Sequence, residues 1–215
     1  MSFRHRLTRL DELELREVVA LEENDLCYYW RTRTTIKNIS SDKLYSETHS
    51  LISNLKIKEK EINRLHHRQP AIEQCAHEMI ALLPPEVFRQ YTFIPIPASK
   101  SSKNVYPVSN LTYVLEQIKK IAYPSLDSRE LITQYEPTLT NHHSSQRQSV
   151  EELARNYCIR DKFMHPIPQK IILFDDVISA GRHFKAAQNH LLQHFSEIKI
   201  IGIFIARSID ECRDI

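Results

Sequence analysis

The chain predicts an α/β protein: a parallel-sheet core over residues 91–215, preceded by a helical N-terminal extension over residues 1–90. Three observations carry this expectation. From Thr92 onward, short apolar runs alternate with stretches of helical spacing, the order that builds βαβ units. The later runs, Ile171-Ile172-Leu173-Phe174 above all, are continuous rather than alternating, as strands covered on both faces require. Before residue 90 the apolar positions recur at helical intervals instead. At 41% apolar and 26% charged, the 215 residues can bury a sizeable core.

The elements follow in order. Residues 11–23 read as a first helix, with Leu13, Val18 and Leu21 inward and Thr8 or Asp11 near its start. The cluster Leu26-Cys27-Tyr28-Tyr29-Trp30-Arg31-Thr32-Arg33 reads first as core packing beneath a polar rim. Its second reading is a stacking surface for single-stranded nucleic acid, built from Tyr28, Tyr29, Trp30 and Arg31. Residues 45–65 and 70–83 read as two further helices. The charge-rich stretch Lys56 to Lys60 is taken as a solvated face, and Pro84-Pro85 is taken as a stop. Thr92 to Pro97 is a strand whose prolines place it near a sheet edge. A loop over 98–106 precedes a helix over 108–121, with Val108, Leu111, Leu115 and Ile118 on one face. A short strand near 130–135, a polar stretch over 138–148 suited to a lid, and a helix over 149–156 come next. Strand 170–175, helix 183–195 and strand 198–206 complete the pattern.

The most informative segment is Ile171-Ile172-Leu173-Phe174-Asp175-Asp176-Val177-Ile178-Ser179-Ala180-Gly181-Arg182-His183-Phe184. A buried strand ends in two carboxylates, and a hydroxyl- and glycine-containing turn then enters a helix. A helix N-terminus offers unpaired N–H groups and a dipole that favours anions. Gly181 lets the backbone turn and approach a ligand, Ser179 adds a hydroxyl, and Arg182 and His183 add donors at the rim. Asp175 and Asp176 repel phosphate but accept hydrogen bonds from sugar hydroxyls, or hold a hydrated Mg²⁺. The plainer alternative is a strand whose Asp caps the helix.

A second turn, Ala98-Ser99-Lys100-Ser101-Ser102-Lys103, follows the strand ending at Pro97. Its hydroxyls and ammonium groups suit pyrophosphate, although an ordinary solvated loop has the same composition. In parallel sheets ligands bind at strand carboxyl ends, so this turn and the acid pair are placed to converge.

The segment 171–184 resembles the phosphoribosyl pyrophosphate (PRPP) signature of the type I phosphoribosyltransferases: an apolar run, two acids, two residues, then Thr-Thr-Gly-x-Thr. Ser179 stands for the first Thr, Ala180 for the second and His183 for the last. Ile94-Pro95-Ile96-Pro97-Ala98-Ser99-Lys100 is similar to the pyrophosphate loop of the competence-associated, ComF-like branch, and Arg147 is similar to an Arg of that branch. The ending Phe204-Ile205-Ala206-Arg207 also resembles it. The resemblance spans roughly residues 90–210. It implies a phosphoribosyltransferase-like fold that binds PRPP with Mg²⁺ and moves ribose 5-phosphate onto a nitrogen acceptor, releasing pyrophosphate. It implies that Asp175 and Asp176 meet the ribose hydroxyls or the metal, and that Ser179, Ala180, Gly181, Arg182 and His183 wrap the 5′-phosphate. Ser99, Lys100 and Ser101 would take pyrophosphate, and Arg147 would close over it as a catalytic group. Tyr106-Pro107-Val108-Ser109 stands where many relatives carry a charged segment. That difference and Ala180 keep a second reading open: a non-catalytic module that senses PRPP or a nucleotide and regulates a protein partner, in nucleic-acid machinery or bacterial defence.

Composition sets bounds on these readings. A formal charge of +2 gives no support to a nucleic-acid partner or an acidic membrane. No apolar run reaches the ~20 residues of a membrane span. Cys27, Cys75, Cys158 and Cys212 are scattered, without zinc-ligand spacing, and read as reduced thiols of a cytoplasmic protein. The adjacent pairs His66-His67 and His142-His143 point to different faces and make poor chelates.

Overall fold

The computed structural model describes residues 5–35, 47–97, 109–135 and 148–210. Fourteen regular elements follow from the sequence in order. They are β1 (Thr8–Arg9), α1 (Glu12–Glu17), β2 (Cys27–Thr35), α2 (Glu47–Leu55), α3 (Leu65–Leu82), α4 (Pro85–Gln90) and β3 (Thr92–Pro95), then α5 (Asn110–Ile121), β4 (Ile132–Gln134), α6 (Val150–Asn156), β5 (Tyr157–Ile159), β6 (Lys170–Ile178), α7 (Arg182–His194) and β7 (Lys199–Asp210).

The central sheet has the order β1-β2-β7-β6-β3, and every pairing except β1 with β2 is parallel. The expected α/β class with a parallel sheet is therefore present. Continuous apolar strands supply both faces. Ile172, Phe174, Ile203, Ile205 and Trp30 pack against α2, α3, α4 and α5 on one side. Ile171, Leu173, Phe204, Cys27 and Tyr29 pack against α6, α7 and the Leu10–Val18 segment on the other. Each such side chain, fully buried, contributes about 1.5–3 kcal/mol of transfer free energy. Gly202 makes room for this second core, since a Cβ there would lie 2.9 Å from both Cys27 Sγ and a ring carbon of Phe184.

Proline and capping chemistry account for several boundaries. β3 is the edge strand, the place open to Pro95, which has no N–H to give a ladder. Ser109 caps α5, and Ser149 with Glu152 forms a capping box on α6. Phe88 of α4 stacks on Phe93 and Tyr123 at centroid distances of 5.8 and 4.2 Å.

Four expectations change. The first helix stops at Glu17: Asp11 and Glu14 close its capping box, but Val18 turns the chain and packs with Leu21 against Gly181. The aromatic cluster is a strand of the parallel sheet, so the N-terminal ninety residues are not wholly helical and they share both cores. The helix expected over 45–65 ends at Leu55, and α3 starts at Leu65 with Pro70 inside it, at the loss of one helical hydrogen bond. The strand near 130–135 does not join the main sheet. It pairs antiparallel with β5, itself unforeseen, as a separate ribbon.

Candidate functional site

The strand that carries the acid pair is longer than the apolar run implies. β6 continues through Asp175, Asp176 and Val177 to Ile178, so the two acids lie within a strand whose successive side chains diverge. Neither acid caps α7; Gly181 holds that position, and no side chain caps the helix. The alternative of an Asp cap is thereby removed.

Asp176 meets a residue from the far end of the sequence. Lys56, the first residue beyond α2, places its Nζ 2.9 Å from Asp176 Oδ2. Asp175 accepts the Asp176 backbone N–H at 2.8 Å. Burial and then the neighbouring Asp176 charge push the Asp175 carboxyl up to about 8, against the opposing pull of the Asp176 N–H and Lys56. Asp175 therefore holds its proton well above the usual carboxylate range.

The other flank is built by Tyr157 and His183. Tyr157 is fully buried at the start of β5, and its hydroxyl lies 3.0 Å from His183 Nδ1. Burial and the Asp175 charge both raise the phenol, while Gln134 on the paired strand β4 works the other way. His183 is shifted down, first by burial and also by Lys56, with Asp176 opposing. Either ring tautomer satisfies this contact: the phenol donates to a bare Nδ1 or accepts from Nδ1–H. His183, in the first turn of α7, thus stands with one ring nitrogen held by Tyr157 beside the first-turn N–H groups of an uncapped helix.

The turn itself has a brace. Gly181 adopts φ 73°, ψ 1°, the left-handed region that glycine enters without penalty. The space beside it is filled by the chain rather than left for a ligand: a Cβ at Gly181 would lie 2.8 Å from Val18 Cγ1 and 2.9 Å from Leu21 Cγ. The expectation that this glycine lets a ligand approach its own Cα is corrected accordingly. Ala20 N–H also donates to Ala180 O at 3.1 Å. Two further ties hold the N-terminal segment in place. Lys185 of α7 bridges Glu22 and Asp25 at 2.9 and 3.0 Å. Arg207 of β7 pairs with Glu14 at 2.7 Å and with Glu17, and Tyr29 donates to Glu14 at 2.6 Å. Ser179 is exposed, and Ala180, Arg182 and His183 are partly buried.

Of the expected residues, Asp175, Asp176, Ser179, Ala180, Gly181, Arg182 and His183 lie together at the carboxyl end of β6. Ser99, Lys100, Ser101 and Arg147 lie outside the described residues. Within the described residues, Ile96 N–H donates to Phe174 O at 2.9 Å, so Ile96 lies beside the last apolar residue before the acid pair. Tyr135 N–H donates to Asn156 O at 2.9 Å, beside Tyr157.

Sequence reasoning did not find Lys56, Tyr157 or Gln134. Lys56 sits in a charge run that reads as solvated, and Tyr157 has no linear neighbour with related chemistry. The nucleic-acid reading of residues 28–31 does not survive. Trp30 and Arg31 are buried, with Trp30 Nε1 donating to Glu78 at 2.8 Å and the Arg31 guanidinium paired with the same carboxylate. Among the described residues, no helix is long and apolar enough to cross a membrane. Compared with protein-family models and with curated proteins, the chain matches none.

Proposed function

We propose that the chain is a phosphoribosyltransferase-like protein that binds PRPP or a related ribose 5-phosphate at the carboxyl end of β6. The observation that carries the reading is the junction of an acid pair with an uncapped, glycine-entered helix at one strand end. Asp176, paired with Lys56, accepts from a ribose hydroxyl, and Asp175 shares the neighbouring one. The first-turn N–H groups of α7, the His183 imidazole and the Ser179 hydroxyl take the 5′-phosphate. Ser99, Lys100 and Ser101 would receive the pyrophosphate arm, and Arg147 would cover it. Transfer to a nitrogen acceptor passes through a cationic sugar, so the protein's part is to position the groups and stabilise charge.

The resemblance also implies Mg²⁺ on the acid pair. The pair does not fit a resident divalent ion. Asp176 already carries an ammonium at 2.9 Å, which a divalent ion would have to displace. No step is therefore routed through a metal on these carboxylates.

The alternative, a non-catalytic PRPP or nucleotide sensor, draws support from the brace on the turn. Val18, Ala20 and Leu21 tie the turn to the N-terminal segment, so a ligand that shifts the turn must also move that segment. Calorimetric titration with PRPP and ribose 5-phosphate tests the shared premise, with Asp175→Asn and Asp176→Asn as variants. Binding by the wild type, weakened about tenfold or more in the variants at unchanged melting temperature, is expected. No binding of either ligand at millimolar concentration removes both readings. Pyrophosphate release with a panel of purines and pyrimidines then separates them, since turnover excludes the sensor.

A further inference from the structure

Lys56 is set in place by its neighbours. Leu55 and Ile57 on either side are both 1% exposed, and α2 buries Leu51 and Ile52 in the same core. The Lys56 N–H donates to Ile52 O at 3.2 Å, so its backbone continues the last turn of α2. From this fixed point the side chain reaches across to the end of β6. Its ammonium remains half in solvent, with side-chain exposure of 55%, while Asp176 is at 18%. An ordinary surface lysine pairs loosely with whatever acid is near and gains little from it. This one is anchored between two buried residues and aimed at an acid that is itself mostly covered.

From this geometry we infer that Lys56 takes the place of a divalent cation at the acid pair: its ammonium supplies at Asp176 the positive charge that a metal would bring, so that the pair meets a ligand without metal. The inference rests on the reading of this pair as a ligand site. A carboxylate mostly covered from solvent needs a partner for its charge, and Lys56 is that partner for Asp176. A divalent ion entering here would have to displace the ammonium or lie against it, and like charges a few ångströms apart repel strongly near a protein surface. A phosphorylated ligand has no such conflict, because its anionic end and the ammonium attract each other.

The test uses the full chain and Mn²⁺ as the probe, with free Mn²⁺ followed by electron paramagnetic resonance. Wild type, Lys56→Arg and Lys56→Met are compared, and Asp176→Asn in the Lys56→Met background defines which binding belongs to the pair. Wild type and Lys56→Arg should show no Asp176-dependent Mn²⁺ binding below millimolar concentration. Lys56→Met should gain it, about tenfold tighter or more. Equal Asp176-dependent affinity in wild type and Lys56→Met overturns the inference, and so does the lack of any gain in Lys56→Met. A parallel titration with ribose 5-phosphate in excess chelator should show binding by the wild type. Binding that appears only when Mg²⁺ is added also overturns the inference. If no variant binds the sugar phosphate under any condition, the ribose-phosphate reading fails, and the Mn²⁺ result still decides the role of Lys56.

Discussion

Gly181→Ala isolates the brace on the turn. Two costs are legible in the structure. The residue sits at φ 73°, and a side chain in the left-handed region costs about 1–2 kcal/mol. The added methyl would also stand 2.8 Å from Val18 Cγ1 and 2.9 and 3.0 Å from Leu21 Cγ and Cδ2, well inside van der Waals contact. Val18 is 2% exposed and cannot swing into solvent, so the N-terminal segment must shift. Overpacking of this kind costs about 1–3 kcal/mol. The sum is about 2–5 kcal/mol, or a melting temperature lower by about 4–20 °C for a chain of this length. Urea denaturation of wild type, Gly181→Ala, Val18→Ala and the double variant measures it. Because the new methyl and the Val18 methyls compete for one space, Val18→Ala should cost less in the Gly181→Ala background than alone, by about 0.5–1.5 kcal/mol. A Gly181→Ala variant within about 0.5 kcal/mol of wild type, or a strictly additive cycle, refutes the claim that Val18 and Leu21 press on the turn.

Further outcomes follow from individual contacts. Glu78→Gln leaves the buried Arg31 guanidinium with only the exposed Glu47 carboxylate, 3.5 Å away, as counter-charge, and should lower stability by about 3 kcal/mol in urea melts. His190 is buried against the Tyr157 ring edge and the His194 ring, and burial first and His194 next hold its pKa below the ordinary value. The unfolded chain therefore binds that proton more readily; the stability is intact above about pH 6.5 and is lost as pH falls below it. His190→Gln should flatten the loss between about pH 7.5 and 5.5 in paired urea melts, and an unchanged slope would count against the assignment. Tyr157→Phe removes the hydroxyl that holds His183 Nδ1, so ¹⁵N NMR of the imidazole should show a changed tautomer balance, and sugar-phosphate affinity should fall.

How much was readable from the chain depends on the range of the interaction. The strands 92–95, 170–178 and 199–210 and the helices 110–121, 150–156 and 182–194 announce themselves through local chemistry: continuous apolar runs, a Ser before each of two helices, a glycine before the third. The acid pair and its turn were legible for the same reason, since a strand, its end and the next helix are contiguous. The reading failed where tertiary contacts decide. Val18 and Val19 look like a helical continuation, but packing on Gly181 takes the chain elsewhere. Residues 27–35 are a strand because β7 offers an open parallel edge, and nothing in the segment itself names that partner. Lys56 lies 120 positions before the carboxylate it meets, inside a run whose composition suits solvent equally well.

These long-range ties bear on how the chain is organised. The N-terminal ninety residues place β2 in the central sheet, Lys56 on Asp176, Val18 and Leu21 on Gly181, and Glu22 and Asp25 on Lys185. A ligand that shifts the turn at 179–181 must push against Val18 and Leu21. One that recruits Asp176 must share it with Lys56. Both responses run into the same N-terminal portion, from two different secondary-structure elements on opposite faces of the sheet. A transferase can use such coupling to close its site, and a sensor can use it to report occupancy. The contacts that brace the turn at 179–181 are the same ones that would carry a signal from it, so the two proposed functions differ in what happens to the ligand and not in how the site is held.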